Sequence, residues 1–199
     1  MKLLTLFLVL SIVSCKSDGS NENINDNKKI SVENIERQHE NIVNKKPLPK
    51  FKSLNEMFQA SYDFSEEEGT LKLISLDKSK LHIQISKPIF KNDLKKIIEE
   101  QVKRDIVYVA FQTFAQTEIN ELTITSVPIS SDDSNQYFNE YKKTVKISRK
   151  KALSILKEYI DTEDFSILYE NQNGMWVPSK KFSVLKFEKL DYVFNTIVK

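Results

Sequence analysis

LHIQIS at residues 81–86 and NDLKKIIEEQVKRDIVYVAFQTFAQ at residues 92–116 decide the fold. In the first stretch Leu81, Ile83 and Ile85 alternate with His82, Gln84 and Ser86, the period of a half-buried strand. In the second, apolar residues at positions 94, 97, 98, 102, 106, 109, 110 and 114 keep helical spacing. They predict one helix of about 25 residues, started by Asn92 or Asp93 as N-cap. Ile106 to Phe114 is also rich in β-branched and aromatic residues, which suits a strand. No turn signal separates Arg104 from Ile106, and this favours the helix.

Outward from that core, Thr70 to Leu76 reads as a second strand. It is joined to Leu81–Ser86 through a turn at Asp77-Lys78-Ser79, giving an antiparallel hairpin. Ahead of it, Leu54, Met57, Phe58 and Tyr62 mark a short helix, followed by the polar turn Glu66-Glu67-Glu68-Gly69. Beyond the long helix, Leu122, Ile124 and Val127 mark a strand ended by Pro128. Tyr137 to Ile147 supplies another. Ser148 is a suitable N-cap for a helix through Ile160. Asn173-Gly174 is a type I′ turn signal joining Ile167–Tyr169 to Met175–Val177 as a small hairpin. Phe187, Leu190, Val193, Phe194 and Ile197 give a closing amphipathic helix. The order β-β-α-β-β predicts an α+β two-layer sandwich with an antiparallel sheet of about four strands and one long helix. No internal repeat interrupts it.

The N-terminus follows another logic. Met1-Lys2 is a short positive region, and Leu3 to Val13 is apolar except for Thr5 and Ser11. As a helix about eleven residues rise only ~16 Å, too little for a ~30 Å hydrocarbon core. A signal peptide over residues 1–14 fits better. The segment ends Ile12-Val13-Ser14-Cys15, and Cys15 is the single cysteine of the 199 residues. An intramolecular disulfide is therefore excluded.

Ile12-Val13-Ser14-Cys15 resembles the lipobox of bacterial lipoproteins. The resemblance covers residues 1–15 only, and no family is recognised for the rest of the chain. It implies cleavage between Ser14 and Cys15, a thioether-linked diacylglycerol on Cys15 and acylation of the new amine with a chain such as palmitate. Two or three acyl chains give stable anchoring, at ~0.8 kcal/mol per buried CH₂. Lys16 stands where aspartate marks inner-membrane retention in enterobacteria, so the outer membrane is the expected destination, at its periplasmic face or the cell surface. Lysine followed by acids also resembles the surface-export signal of some Bacteroidetes lipoproteins. Ser17 departs from that pattern and only Asp18 fits it. The Asn-, Lys- and Ile-rich composition agrees with an AT-rich genome of that kind.

Residues 15–50 read as the lipidated terminus and a tether. Ser17 to Asn27 carries four asparagines and one aliphatic residue, too little apolar area to offset its ordering entropy. Pro47 and Pro49 stiffen the entry to a single α+β domain over residues 51–199.

A net charge of +2 excludes a dedicated nucleic-acid binder. Residues 51–135 carry 10 basic and 14 acidic side chains, and residues 136–199 carry 12 and 8. The basic half offers a candidate interaction surface of Lys142, Lys143, Lys146, Arg149, Lys150 and Lys151. Trp176, beside a hairpin turn, joins it as a residue type enriched at interface hot spots.

The catalytic inventory is poor. Gly19, Gly69 and Gly174 are the only glycines, and none belongs to a Walker loop, a Rossmann fingerprint or a nucleophile elbow. His39 and His82 are the only histidines, too few for a usual zinc site. Adjacent carboxylates at Glu99-Glu100 point about 100° apart on a helix and make no positioned acid/base pair. Asp132-Asp133 lacks the spaced ligands of a calcium loop. No metal or cofactor is expected. The reading is a lipid-anchored, non-catalytic binding or interaction module that meets an envelope protein. The alternative is a lipid-anchored hydrolase using carboxylates or Ser/Thr with His82.

Overall fold

The computed structural model describes residues 47–77 and 81–199. The signal segment, the lipobox around Cys15 and the tether up to Lys46 lie outside these residues. So do Lys78 and Ser79 of the expected first turn. Packing begins at Leu48, which is already buried in the core.

Helix α1 (Leu54–Ser61) starts on Ser53, whose hydroxyl accepts the Glu56 N–H, and stops where Tyr62 turns left-handed at φ 57°. Strands β1 (Leu71–Ser75) and β2 (His82–Ile85) form the expected antiparallel hairpin. A two-residue strand β3 (Pro88–Ile89) leads to helix α2 (Lys95–Gln116). Strand β4 (Glu121–Ser126) and the short β5 (Ile129–Ser130) follow, then β6 (Lys143–Ser148). Helix α3 (Arg149–Ile160) begins on the Ser148 hydroxyl, which accepts the Lys151 N–H as expected. The hairpin β7 (Tyr169–Gln172) and β8 (Met175–Pro178) turns at Asn173 and Gly174, both at positive φ (53° and 89°), as a type I′ turn requires. The closing helix is not continuous. A short α4 (Lys180–Ser183) widens into a π turn over Val184–Glu188 before α5 (Leu190–Val198).

The fold is α+β, with one correction to its sheet. The order is β1-β2-β4-β6, and β2 pairs with β4 in parallel. The sheet is mixed, not antiparallel. The cause is α2 itself. A helix of 22 residues rises ~33 Å and returns the chain to the end where β2 began. A strand leaving such a crossover runs parallel to the one that entered it. β3 and β5 continue the same parallel pair past Lys87 and Pro128, in unchanged register.

Two local expectations also change. The N-cap of α2 is Leu94, without a side-chain cap. The Asp93 carboxylate instead accepts the Phe90 N–H at 2.9 Å and closes the preceding turn. Tyr137 to Lys142 is not strand. Tyr137 makes one isolated bridge to Ile129, a 3₁₀ turn occupies Asn139–Tyr141, and extended pairing starts only at Lys143.

Leu71, Ile83, Ile85, Leu122, Ile124, Val145 and Ile147 form the buried face of the sheet. They join α2, α3 and α5 in one core, which also takes Met57 and Phe58 of α1 and Phe165 and Phe182. The opposite face carries Lys72, His82, Gln84, Thr123, Thr144 and Lys146.

Candidate functional site

Three α2 residues at four-residue spacing, Tyr108, Gln112 and Gln116, lie on one stripe of the helix. They form the floor of a cleft of about 440 Å³. Its walls come from three other segments. The entering chain gives Pro49 and Phe51, fixed by a 2.7 Å bond from the Phe51 N–H to the Gln116 carbonyl. The end of α1 gives Met57, Ala60, Ser61 and, past the left-handed Tyr62, Asp63. The hairpin gives Tyr169, Met175, Trp176 and Pro178.

The chemistry of this cleft is aromatic and polar together. The Tyr108 hydroxyl donates to Asp63 Oδ2 at 2.6 Å, and Gln112 Nε2 reaches the same oxygen at 3.5 Å. Tyr108 stacks on Phe182, with ring centroids 5.5 Å apart, and Tyr169 meets Phe182 edge-on at 5.6 Å. Behind them the Lys186 ammonium lies 4.6 Å from the centre of the Tyr108 ring and 4.9 Å from that of Phe182. The π turn carries Lys186 into this position. Burial first, then neighbouring Lys87, holds the Lys186 ammonium below the usual lysine range. Burial also raises the phenol of Tyr108, with Tyr169 and Asp63 adding to it, and burial raises that of Tyr169. Both phenols stay protonated, so they serve as hydrogen-bonding groups and not as anions.

Four polar atoms of the cleft residues are shielded from solvent and make no well-aligned hydrogen bond: Gln112 Oε1, Gln116 Oε1, the Tyr169 hydroxyl and Trp176 Nε1. The Tyr169 hydroxyl and the Tyr108 phenol are in hydrogen-bond interaction, although the geometry is too poor for a well-aligned bond. Each such group costs about 1–3 kcal/mol of lost hydration. Two sit on the long helix and two on the hairpin.

A wider hollow of about 730 Å³ runs along α3, lined by Ser148, Arg149, Lys150, Lys157, Glu158 and Glu163 among others. None of its lining residues has an orphaned buried polar atom among the described residues. Several of its polar groups are already engaged. The Ser148 hydroxyl caps α3 and Lys157 bonds Asp161 at 2.6 Å.

Comparison with protein families, curated sequences and solved structures finds no match to this chain.

The structure separates the residues of the basic interaction surface. Lys142 and Lys150 are exposed, and Lys143 and Lys151 are half-buried. Lys146 pairs with Glu121 at 2.7 Å. Arg149 is half-buried, and its guanidinium turns toward the C-terminus of α2. Its Nη1 donates to the Phe114 carbonyl at 2.8 Å, its Nε to Ile119 at 3.1 Å and its Nη2 to Thr117. Its guanidinium lies 5.4 Å from the rings of Phe114 and Phe165. It closes the C-terminus of α2, where a cation also meets the negative end of the helix dipole. Trp176 lies on the hairpin, in the cleft. His82 Nε2 lies 2.9 Å from the Thr125 hydroxyl, which in turn meets Thr144 at 2.8 Å. The partner seen is a threonine rather than the carboxylate that orients a triad histidine. Among the described residues there is no group of three or more His, Cys, Asp or Glu able to hold a metal ion, and no helix is long and apolar enough to cross a membrane.

Asp63, Gln112 and Gln116 are the cleft residues that sequence reasoning missed. The four-residue spacing of Tyr108, Gln112 and Gln116 is the one signal that points to two of them, since it places two amides on an otherwise apolar helix face.

Proposed function

We propose that the chain is a lipid-anchored binding protein of the bacterial outer membrane, held through Cys15, whose cleft between α2 and the β7–β8 hairpin receives its ligand. The observation that carries this reading is the set of four polar atoms gathered on a walled cleft without a well-aligned hydrogen bond. Native interiors pair nearly all buried polar groups. A cluster of exceptions in one concave place is the usual property of a binding site, where an occupant completes the bonding. The lipobox supports the location, because a diacylated cysteine keeps a water-soluble body at a bilayer.

The walls define what fits. Flat apolar faces come from Trp176, Tyr108 and Phe51. Acceptors come from Asp63 and the two glutamine oxygens, and donors from the Trp176 indole and the Tyr169 hydroxyl. A ligand with both donors and acceptors beside an apolar face satisfies this set. The hairpin is a separate two-stranded sheet, tied at its base by Ser179 bonds to Leu168 and Ile167 and packed on Phe182 through Tyr169.

Trp176 is the single tryptophan of the chain, so its emission reports on the cleft alone. The test is a fluorescence titration with a panel of envelope-type mono- and disaccharides and short peptides. A saturable change that Gln116→Leu and Tyr169→Phe abolish is expected. A Trp176 signal that no member of the panel moves, or one that both variants leave intact, contradicts the reading.

A further inference from the structure

The surface that the cleft turns to solvent is made largely of rings. Phe51, Tyr108 and Trp176 are half-buried, and Pro178 is exposed. Trp176 Nε1 has no contact with solvent, so the open part of the indole is carbon. Phe51 and Pro178 carry no polar side-chain atom at all. The partner of such faces is a flat set of C–H groups.

The polar groups beside these rings are mostly acceptors. Asp63 is exposed, and it is the one charged residue of the lining, which holds no Lys, Arg or His. Its Oδ2 accepts the Tyr108 hydroxyl at 2.6 Å and faces Gln112 Nε2 at 3.5 Å. No donor among the described residues reaches its Oδ1. The Ser61 hydroxyl donates to the Phe58 carbonyl at 3.3 Å and keeps its lone pairs. Gln112 Oε1 and Gln116 Oε1 add two more acceptors. The assignment of Gln112 is fixed by Asp63, since the reversed amide would set oxygen against carboxylate.

Charge and hydrogen bonding together narrow the occupant. An anion meets Asp63 with no cation in the lining to offset it. A cation meets Lys186, whose ammonium already acts on Asp63 from behind the Tyr108 ring. A neutral molecule avoids both costs. It needs several donors to serve the acceptors, and a C–H face to cover the rings. A peptide brings one main-chain N–H per residue, whereas a sugar ring brings several hydroxyls around a face of C–H groups. We infer that the cleft binds a neutral sugar, with the C–H face of the ring on Trp176 and its hydroxyls on Asp63. The inference rests on the reading of the cleft as a binding site and names its substrate class.

The test is a set of titrations of the full chain, followed by Trp176 emission. The probes are the methyl glycosides of glucose, galactose, mannose and N-acetylglucosamine, the uronic acids and amino sugars of the same rings, and trialanine. A saturable change with at least one neutral glycoside is expected. Its uronic acid should bind at least ~10-fold more weakly, because its carboxylate faces Asp63, and its amino sugar should bind no more tightly. By calorimetry, Trp176→Ala and Asp63→Asn should each weaken the neutral glycoside at least ~10-fold, whereas Trp176→Phe, which keeps a ring face and fills most of the space, should cost less. A charged sugar bound more tightly than its neutral counterpart overturns the inference. So does neutral binding that Trp176→Ala and Asp63→Asn leave unchanged. Binding of trialanine with no sugar bound overturns the sugar and leaves the cleft as a binding site. No response to any probe overturns both.

Discussion

From Lys95 to Lys103 the long helix buries only Ile98 and Val102, whereas from Asp105 to Gln116 it buries every residue except Tyr108. The first half is a surface helix with a narrow apolar stripe. The second half is enclosed by the sheet, α3 and the Phe165–Phe182 region. One helix thus runs from water into the core along its own axis. The two halves are held by different forces. A backbone turn and a narrow apolar stripe hold the first, and close packing and a half-buried arginine hold the second. The second half also departs from an apolar core at Asp105, Gln112, Thr113 and Gln116. Two of those four, Gln112 and Gln116, line the cleft.

The contrast predicts its own mutational profile. Phe111 is fully buried between Phe165 and Phe182, and Phe111→Ala should cost about 3–5 kcal/mol in urea unfolding. Ile97→Ala, about four turns away on the open half, should change stability by less than ~0.5 kcal/mol. Similar losses at both positions would break the comparison. Arg149→Met removes the donors that close the buried end and leaves three carbonyls short of partners. It should cost about 2–4 kcal/mol, and Arg149→Lys should recover only part, since a lysine lacks the planar fork.

Asp105 marks the boundary between the halves. Burial raises its carboxyl from 3.8 to about 6, against the pull of Lys87 at 3.5 Å. The folded chain therefore holds this proton more tightly than the unfolded chain does. The contribution favours folding below pH 4 and is lost as pH rises through 6. Over that window the parent should lose up to about 3 kcal/mol that Asp105→Asn does not lose, a difference read from urea melts at pH 4 and pH 7.

Much of this was legible in the sequence. The alternation at Leu81–Ser86, the helical spacing to Phe114, the Ser148 cap and the Asn173-Gly174 turn each act within a few residues, and each is found in the structure. The parallel β2–β4 pair was not legible from local pattern, because strand direction is set by the path of a 22-residue crossover. Nor did the pattern separate the two halves of α2. Apolar spacing looks the same whether a helix lies on a core or passes into it, and the β-branched and aromatic run at Ile106–Phe114 that also suited a strand instead reflects the near-complete burial of this half of the helix. Trp176 stood out as a residue type. Its partners did not, because the cleft draws on four segments far apart in the chain and has no contiguous motif. Arg149 stood in a run of basic residues, and nothing in that run distinguishes a cation that turns inward from those that face water.

A small expected effect bears most directly on the account. Tyr169→Phe removes a hydroxyl that is buried and has no well-formed partner. Urea unfolding of this variant against the parent, with the Trp176 titration run in parallel, tests whether the cleft keeps its polar atoms for a ligand. The account predicts equal or higher stability, by up to about 1 kcal/mol, together with loss of the ligand response. A variant destabilised by more than about 1 kcal/mol would show that the hydroxyl serves the fold, and would contradict the claim that the cleft is built to bind.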